Sequence, residues 1–475
     1  MYCSRFASGL FRRSIRRSSK RAKATRCADS APHALLPLEQ RRLMSATVFE
    51  QTNLVSDQPG VALNLDTTLQ NAWGISAAPA AGAFWVSSAG KGLSELYLGD
   101  IKGSAIAQPF KVSIPGGSPT GQVFNINQPL MGTGNSTDFS VTDGTHTGAS
   151  VFLFATKTGK IVGWNPAVGP ASDTPFGPLS TVGEVGFQSR NGAIYTGLAS
   201  GNVGNSHFLY AADFHNGRID VIDGRFHKTN LAGTFRDSNT PSGFAPFNIQ
   251  HLGGKLYVTY AQQDAARDGG DVAGHGKGFV DVFDTSGHLL QRLVSHGELN
   301  APWGVAIAPA GFGKFAGDLL VGNFGDGHID AFGLNGHNDF KGWIMGANGQ
   351  AVTIPGLWGL QFGNGTSAGD ANSLYFSAGP NHGMHGLFGS LSIADTVSVG
   401  QSVNADGKTF SLDIVAKGMH DNVSITEDFA HGTTTVVANG DTDVFDHLFS
   451  DFDIQTHGNH DHVTFHVLGT PKAGG

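Results

Sequence analysis

The chain has 475 residues, a formal net charge of −8, two cysteines and 68 glycines, and 14% of its residues are charged, against about 25% in an average globular protein. An apolar content of 40% is enough for a large core, and no run reaches the roughly 18 apolar residues of a membrane helix. Few charges, frequent glycine and 33 phenylalanines exclude a helical bundle and predict a turn-rich β protein.

Eleven of the 30 Lys+Arg lie in residues 1–46, beside only Asp29 and Glu39, which leaves 19 bases against 36 acids in the remainder. An acidic body argues against a phosphate-binding surface and against nucleic acid as a partner. The basic, serine-rich start reads as a processing leader, although no apolar stretch of a secretory signal follows Arg12-Arg13 or Arg16-Arg17. Cys3 and Cys27 both fall in this leader, so a chain trimmed near Ala46 carries no cysteine. Such a body has no disulfide, thiol nucleophile or cysteine-ligated zinc.

Self-similarity sets the fold expectation for residues 49–391. Ala72-Trp73-Gly74-Ile75-Ser76-Ala77-Ala78-Pro79 recurs as Pro302-Trp303-Gly304-Val305-Ala306-Ile307-Ala308-Pro309, with weaker copies at Val123–Ile126, Ile194–Leu198, Pro246–Ile249 and Leu357–Leu360. A second unit, Ala212–Asp220, aligns with Gly322–Asp330 two repeats later. Each repeat reads as four short strands separated by glycine turns, clearest in Trp303–Ala308, Asp318–Gly322, Gly327–Phe332 and Gly342–Ile344. Six such units predict an all-β, six-bladed β-propeller. The sixth unit has three strands near its end at Gly386–Leu391, so Phe49–Val55 is expected to supply the fourth and close the ring.

Residues 395–475 differ in character: tryptophan vanishes, and His420, His431, His447, His457, His460, His462 and His466 crowd in. His420-Asp421-Asn422-Val423-Ser424-Ile425 returns 40 residues later as His460-Asp461-His462-Val463-Thr464-Phe465. Strands at Thr433–Val437 and Val444–Phe449, joined through Asn439-Gly440, predict a hairpin. The segment reads as a small, separate β-rich repeat module.

Candidate chemistry is sparse. There is no Gly-x-Ser-x-Gly elbow, Walker loop or His-Glu-x-x-His helix. Asp213 and Asn323 occupy matching turns, and Asn125 and Asn248 lie on the expected innermost strands; these four are the candidates for lining a ligand channel. Asp264, Asp268 and Asp271 sit in a glycine-rich insertion, where an acidic, flexible loop suits Ca²⁺. The same aspartates also fit a solvated loop that holds no metal. Trp73, Trp303 and Trp358 are expected to pack between blades. His382 and His385 show no nucleophile to work with.

Three resemblances add to this reading. Leu38-Glu39-Gln40-Arg41-Arg42-Leu43-Met44-Ser45 resembles the Leu-Glu-Pro-Arg-x-Leu-Leu-Ser motif of exported and surface proteins of one bacterial phylum, with Gln40 and Met44 departing from it. Gln51–Asp57, Ala245–Gln250, Ala301–Val305, Leu320–Gly327, Leu357–Leu360 and His385–Gly389 resemble an uncharacterised family of exported bacterial proteins with an NHL-like six-bladed propeller. That family implies the fold and export and carries no activity to transfer. Residues 395–475 resemble the Asn-Asp-rich β modules of bacterial surface proteins, relatives of Ca²⁺-binding β-rolls, with His420 and His460 departing from the usual pattern. The expectation is an exported or cell-surface propeller with a binding or structural role toward an envelope or extracellular ligand. The alternative is a Ca²⁺-dependent hydrolase resembling gluconolactonase-type propellers.

Overall fold

The computed structural model describes residues 47–79, 81–99, 107–128, 136–174, 177–394, 396–403, 410–417, 422–438, 441–445, 448–449, 451–456 and 462–468. The leader with its cysteines and its Leu38–Ser45 motif lies outside the described residues, as do His420, His447, His457, His460 and the Asn439-Gly440 turn.

Runs such as Phe84-Trp85-Val86-Ser87-Ser88, buried at every position, have apolar or small residues on both faces and therefore need a neighbour on each side. The structure supplies it by stacking sheets. Among the described residues, six larger sheets of four or five mainly antiparallel strands follow one another along residues 49–393. The first to fifth begin with the inner strands Ala72–Ser76, Pro119–Phe124, Tyr195–Val203, Phe244–Leu252 and Pro302–Ile307, and the sixth with Leu357–Phe362. Each inner strand packs on the next, and the sixth packs on the first. A closed cycle of radially stacked sheets of this kind is a β-propeller.

One hydrophobic cluster lies between each successive pair of sheets. Trp85, Phe152, Phe154 and Trp164 fill the space between the first and second, and Phe84, Tyr97, Tyr375 and Phe388 that between the sixth and first. Closure is made by strand Phe49–Ser56, which pairs antiparallel with Leu387–Ile393 from Phe49↔Ile393 to Ser56↔Leu387. Phe49 is also packed against Phe312, with ring centroids 4.7 Å apart. The first and last strands of residues 49–393 thus meet in one sheet, as the three-stranded sixth unit implied.

Glycine at one position lets the inner strands approach. A Cβ on Gly74 would lie 2.2 Å from the Thr120 carbonyl oxygen, and one on Gly304 2.4 Å from that of Trp358. Gly121, Gly197 and Gly359 meet the next inner strand in the same way. Pairing puts Ile75↔Val86, Gln122↔Phe154 and Leu198↔Ala211 at equivalent places, so Thr120-Gly121 is the second sheet's copy of Trp73-Gly74. The sequence copy at Val123–Ile126 is therefore out of register. An aromatic attracted the alignment, whereas the close approach selects glycine. Two added hairpins, Ser140–Thr142 with Thr147–Ala149 and Ala171–Thr174 with Gly177–Ser180, lengthen this unit.

After residue 395, two sheets form around a small core of Leu412, Ile414, Val423, Ile425, Val436 and Phe449. Strand Phe410–Lys417 pairs in parallel with Asp451–Thr456, and Asn422–Asp428 with His462–Leu468. In both ladders every residue meets the one 40 positions later, such as Leu412↔Phe452 and Val423↔Val463. The sequence repeat is thus the register itself. The hairpin comprises Thr433–Ala438 and Asp441–Phe445, and its second strand starts earlier than the Val444–Phe449 expected, with Asp441 opposite Ala438.

Candidate functional site

Where the inner strands begin, the second strands of the sheets turn into the third. This end of the ring is the mouth, and its centre is filled by side chains. Trp73, Trp303 and Trp358 meet one another across the axis, with Phe247, Phe214 and Phe324 around them. The Trp73 and Trp358 rings stack at 3.7 Å, and Phe324 stacks on Trp358 at 4.0 Å. Tryptophans expected between blades instead plug the axis, because residues just before the close-approach glycine project inward. Trp358 donates its indole N–H to Asn71 Oδ1 at 3.0 Å, and Trp303 donates to the Thr196 carbonyl at 3.0 Å. Trp73 Nε1 is buried and has no partner.

The insertion 263–278 leaves the fourth sheet and reaches across this mouth. Gln263 donates to the carbonyls of Phe214 and His215, and the Arg267 carbonyl lies 2.7 Å from His215 Nδ1. A Cβ on Gly269, whose φ is +96°, would sit 3.1 Å from both Ile194 Cγ2 and Lys157 Cε. Lys157 Nζ in turn lies 5.6 Å above the Trp73 ring. The strap therefore rests against turns of the second and third sheets.

Its three aspartates have different surroundings. Asp264 accepts the backbone N–H of Arg267 at 2.6 Å, which closes a local turn. Asp268 is exposed. Asp271 is half-buried, and burial pushes its carboxyl up to about 6, with the Asp264 charge adding and Lys157 opposing. Among the described residues no three His, Cys, Asp or Glu side chains gather closely enough to hold a metal ion. The expected Ca²⁺ ligand set is thus not assembled, since Asp264 is turned to its own backbone and Asp268 to solvent.

The four channel candidates are also separated. Asn125 follows the second inner strand at the far end of the ring, where it donates to the Ser150 carbonyl at 2.9 Å. Asn248 stands where the other inner strands carry glycine, and its amide donates to the Trp303 carbonyl at 2.9 Å. Asp213 and Asn323 do lie at the mouth, both fully buried. Asp213 accepts from the backbone and the amide of Asn216; burial pushes its carboxyl up against those hydrogen bonds. Asn323 accepts the Asn300 N–H and donates to Asp330 Oδ2 at 2.8 Å. All four bind strands and turns together. Among the described residues, Trp73 Nε1, Lys157 and Asp271 are polar groups at the mouth with spare bonding capacity.

Sequence reading missed a second polar set. Glu95, Asp220, Asp281 and Asp330 occupy one equivalent third-strand position and are buried to 1% exposure or less. In three sheets a fourth-strand cation reaches the acid. Lys111 lies 3.5 Å from Glu95 and 2.7 Å from Asp66. Lys228 lies 2.5 Å from Asp220, which Arg218 on the same strand also reaches at 2.7 Å. Arg292 lies 2.7 Å from Asp281 and 2.8 Å from Asp237. Burial pushes the Glu95 and Asp281 carboxyls up, and the cations and hydrogen bonds counter it. The signal was present in the aligned pair Asp220 and Asp330, which served only to mark the repeat.

Comparison with known proteins adds relatives rather than an activity. No family model matches the chain. It is 32% identical over 367 residues to uncharacterized protein R648 of Acanthamoeba polyphaga mimivirus, covering 75% of this chain and 82% of the relative. It is 32% identical over 257 residues to that virus's uncharacterized protein L690, covering 53% of this chain and 64% of the relative. Among solved structures, a Bacteroides thetaiotaomicron protein of unknown function matches with a TM-score of 0.44 and 10% identity, over 73% of this chain and 76% of that one. The β-propeller domain of Myceliophteria thermophila Cps50 (Swd1) matches with a TM-score of 0.25 and 10% identity, over 62% and 79%. The sequence relatives are viral, where the motif resemblance pointed to bacteria. With R648 matched over most of its length at this identity, the chain belongs to the family of that mimivirus protein.

Proposed function

We propose that the protein is a six-bladed propeller that works by binding, with its ligand held at the mouth beneath the 263–278 strap. The observation that carries this reading is the plugged axis: six aromatics close the centre, and the under-used polar groups Trp73 Nε1, Lys157 and Asp271 lie at one end of it. A donor, a cation and a carboxylate around an aromatic ring suit a neutral, hydroxyl-rich ligand, which can accept from the first two and donate to the third. The acidic body gives no electrostatic pull on an anion. In this reading the protein is exported and acts outside the cell, and residues 395–475 are an appended surface-protein module; the export-like motif and the cysteine-free body support it.

The test is a thermal-shift panel of saccharides on the intact protein, repeated with Lys157→Met and Asp271→Asn. A saccharide that stabilises the parent and neither variant supports the reading. A screen of lactones and phosphoesters with added Ca²⁺ runs beside it. Turnover lost on chelation and on Asp→Asn change at 264, 268 and 271 would replace binding by hydrolysis.

A further inference from the structure

The buried acid of the fifth sheet lacks the cation that its counterparts have. Pairing places Glu95 opposite Lys111 and Asp281 opposite Arg292. The same register places Asp330 opposite Trp343. Asp330 is fully buried; its Oδ2 takes the Asn323 amide, while Oδ1 has no partner. The charged groups that bear on it are acidic: Asp326 in the adjacent turn and Glu298 ahead of the first strand. His328 is 3.8 Å from Asp326, and Lys341 on the outer strand is 2.9 Å from Asp339, so neither supplies Asp330 with a cation.

We propose that Asp330 is a proton-operated latch that holds the outer strand Phe340–Trp343 on the fifth sheet. Protonated, the carboxyl is neutral and tolerates an apolar site. Ionised, it is a buried charge beside two others of its own sign, and water must reach it. The strand paired opposite it is only four residues long and largely exposed, with Phe340 and Trp343 each 37% exposed, and is the element whose opening would admit water. Opening frees this aromatic pair, whose rings touch at 5.4 Å.

Burial pushes the Asp330 carboxyl up to about 8, and the Asp326 and Glu298 charges add to it. A raised carboxyl binds its proton more tightly when folded, so the stabilisation is complete below about pH 4 and is lost as pH rises toward 8. The latch thus loosens across the neutral range and stays loose above it.

The test is hydrogen exchange of residues 340–343 in the full chain between pH 5 and 9, corrected for intrinsic rates. The opening constant should rise about tenfold per pH unit up to about pH 8 and then level. Asp330→Asn removes the ionisation and should abolish the slope. Trp343→Lys places an ammonium where the first sheet has Lys111, and should flatten the slope by pairing the charge. A slope that is missing from the parent, or that survives in Asp330→Asn, overturns the latch. If that variant fails to fold, Trp343→Lys decides alone: a flattened profile supports the latch, and an unchanged one overturns it.

Discussion

Trp358→Ala tests whether the axis is a plug or a passage. The indole is 4% exposed and stacked on both faces, by Trp73 at 3.7 Å and by Phe324 at 4.0 Å. Its edges meet Trp303 and Phe247 with centroids 5.9 and 5.7 Å away. An aromatic of this kind buries on the order of 200 Å², which at about 25 cal/mol per Å² is about 5 kcal/mol. Measured tryptophan truncations in cores run to about 3–5 kcal/mol, and the surrounding rings belong to three different sheets and cannot easily collapse inward. The expected loss is therefore about 4 kcal/mol. Asn71 loses its partner too, but it is half-exposed and rehydrates. Urea denaturation followed by far-ultraviolet circular dichroism measures the loss, with Leu63→Ala, 70% exposed, as the control, expected to cost under about 1 kcal/mol. A Trp358→Ala loss below about 1.5 kcal/mol, or one equal to the control, would refute the plug and reopen the axis as a ligand passage.

Removing residues 47–56 deletes the closing strand together with buried Phe49, Leu54 and Val55, and should lower the melting temperature by on the order of 10 °C or more; an unchanged melt would show that closure contributes nothing. Arg292→Met leaves Asp281 and Asp237 facing each other without their shared cation, and should cost about 3–5 kcal/mol in denaturant unfolding at neutral pH. That penalty should shrink as the pH falls, because burial raises the Asp281 carboxyl and its protonation removes the uncompensated charge. If residues 395–475 are a separate module, limited proteolysis should cut within 393–402 and leave the propeller intact in a mass spectrum; co-survival as one resistant fragment would count against the boundary.

Much of the architecture was legible because local rules generate it. Strand lengths, glycine turns and a recurring Trp-Gly unit come from the chain alone, as does the missing strand of the last repeat that Phe49–Ser56 supplies. The 40-residue repeat after His420 likewise becomes a parallel register with the same offset. Where the sequence misled, the position was defined by a neighbour. Thr120-Gly121 carries no aromatic, so only its approach to Leu198 marks it as the counterpart of Trp73-Gly74.

The site depended on the tertiary structure for the same reason. Asn125, Asp213, Asn248 and Asn323 are residue types that line channels and equally types that bind turns; packing assigned each to a carbonyl, an N–H or an adjacent carboxylate. Acidic spacing in 264–271 could not show that Asp264 turns to its own backbone while Asp271 lies near Lys157. Nor could it show that Asp330 lacks a fourth-strand cation, because that partner comes from another strand: Lys228 in one sheet, Trp343 in the other; only the change from Arg218, which also reaches Asp220, to His328 was local. A period along the chain is local and determines strands and repeats, whereas the charge and burial of a side chain are set by what the fold brings across from elsewhere.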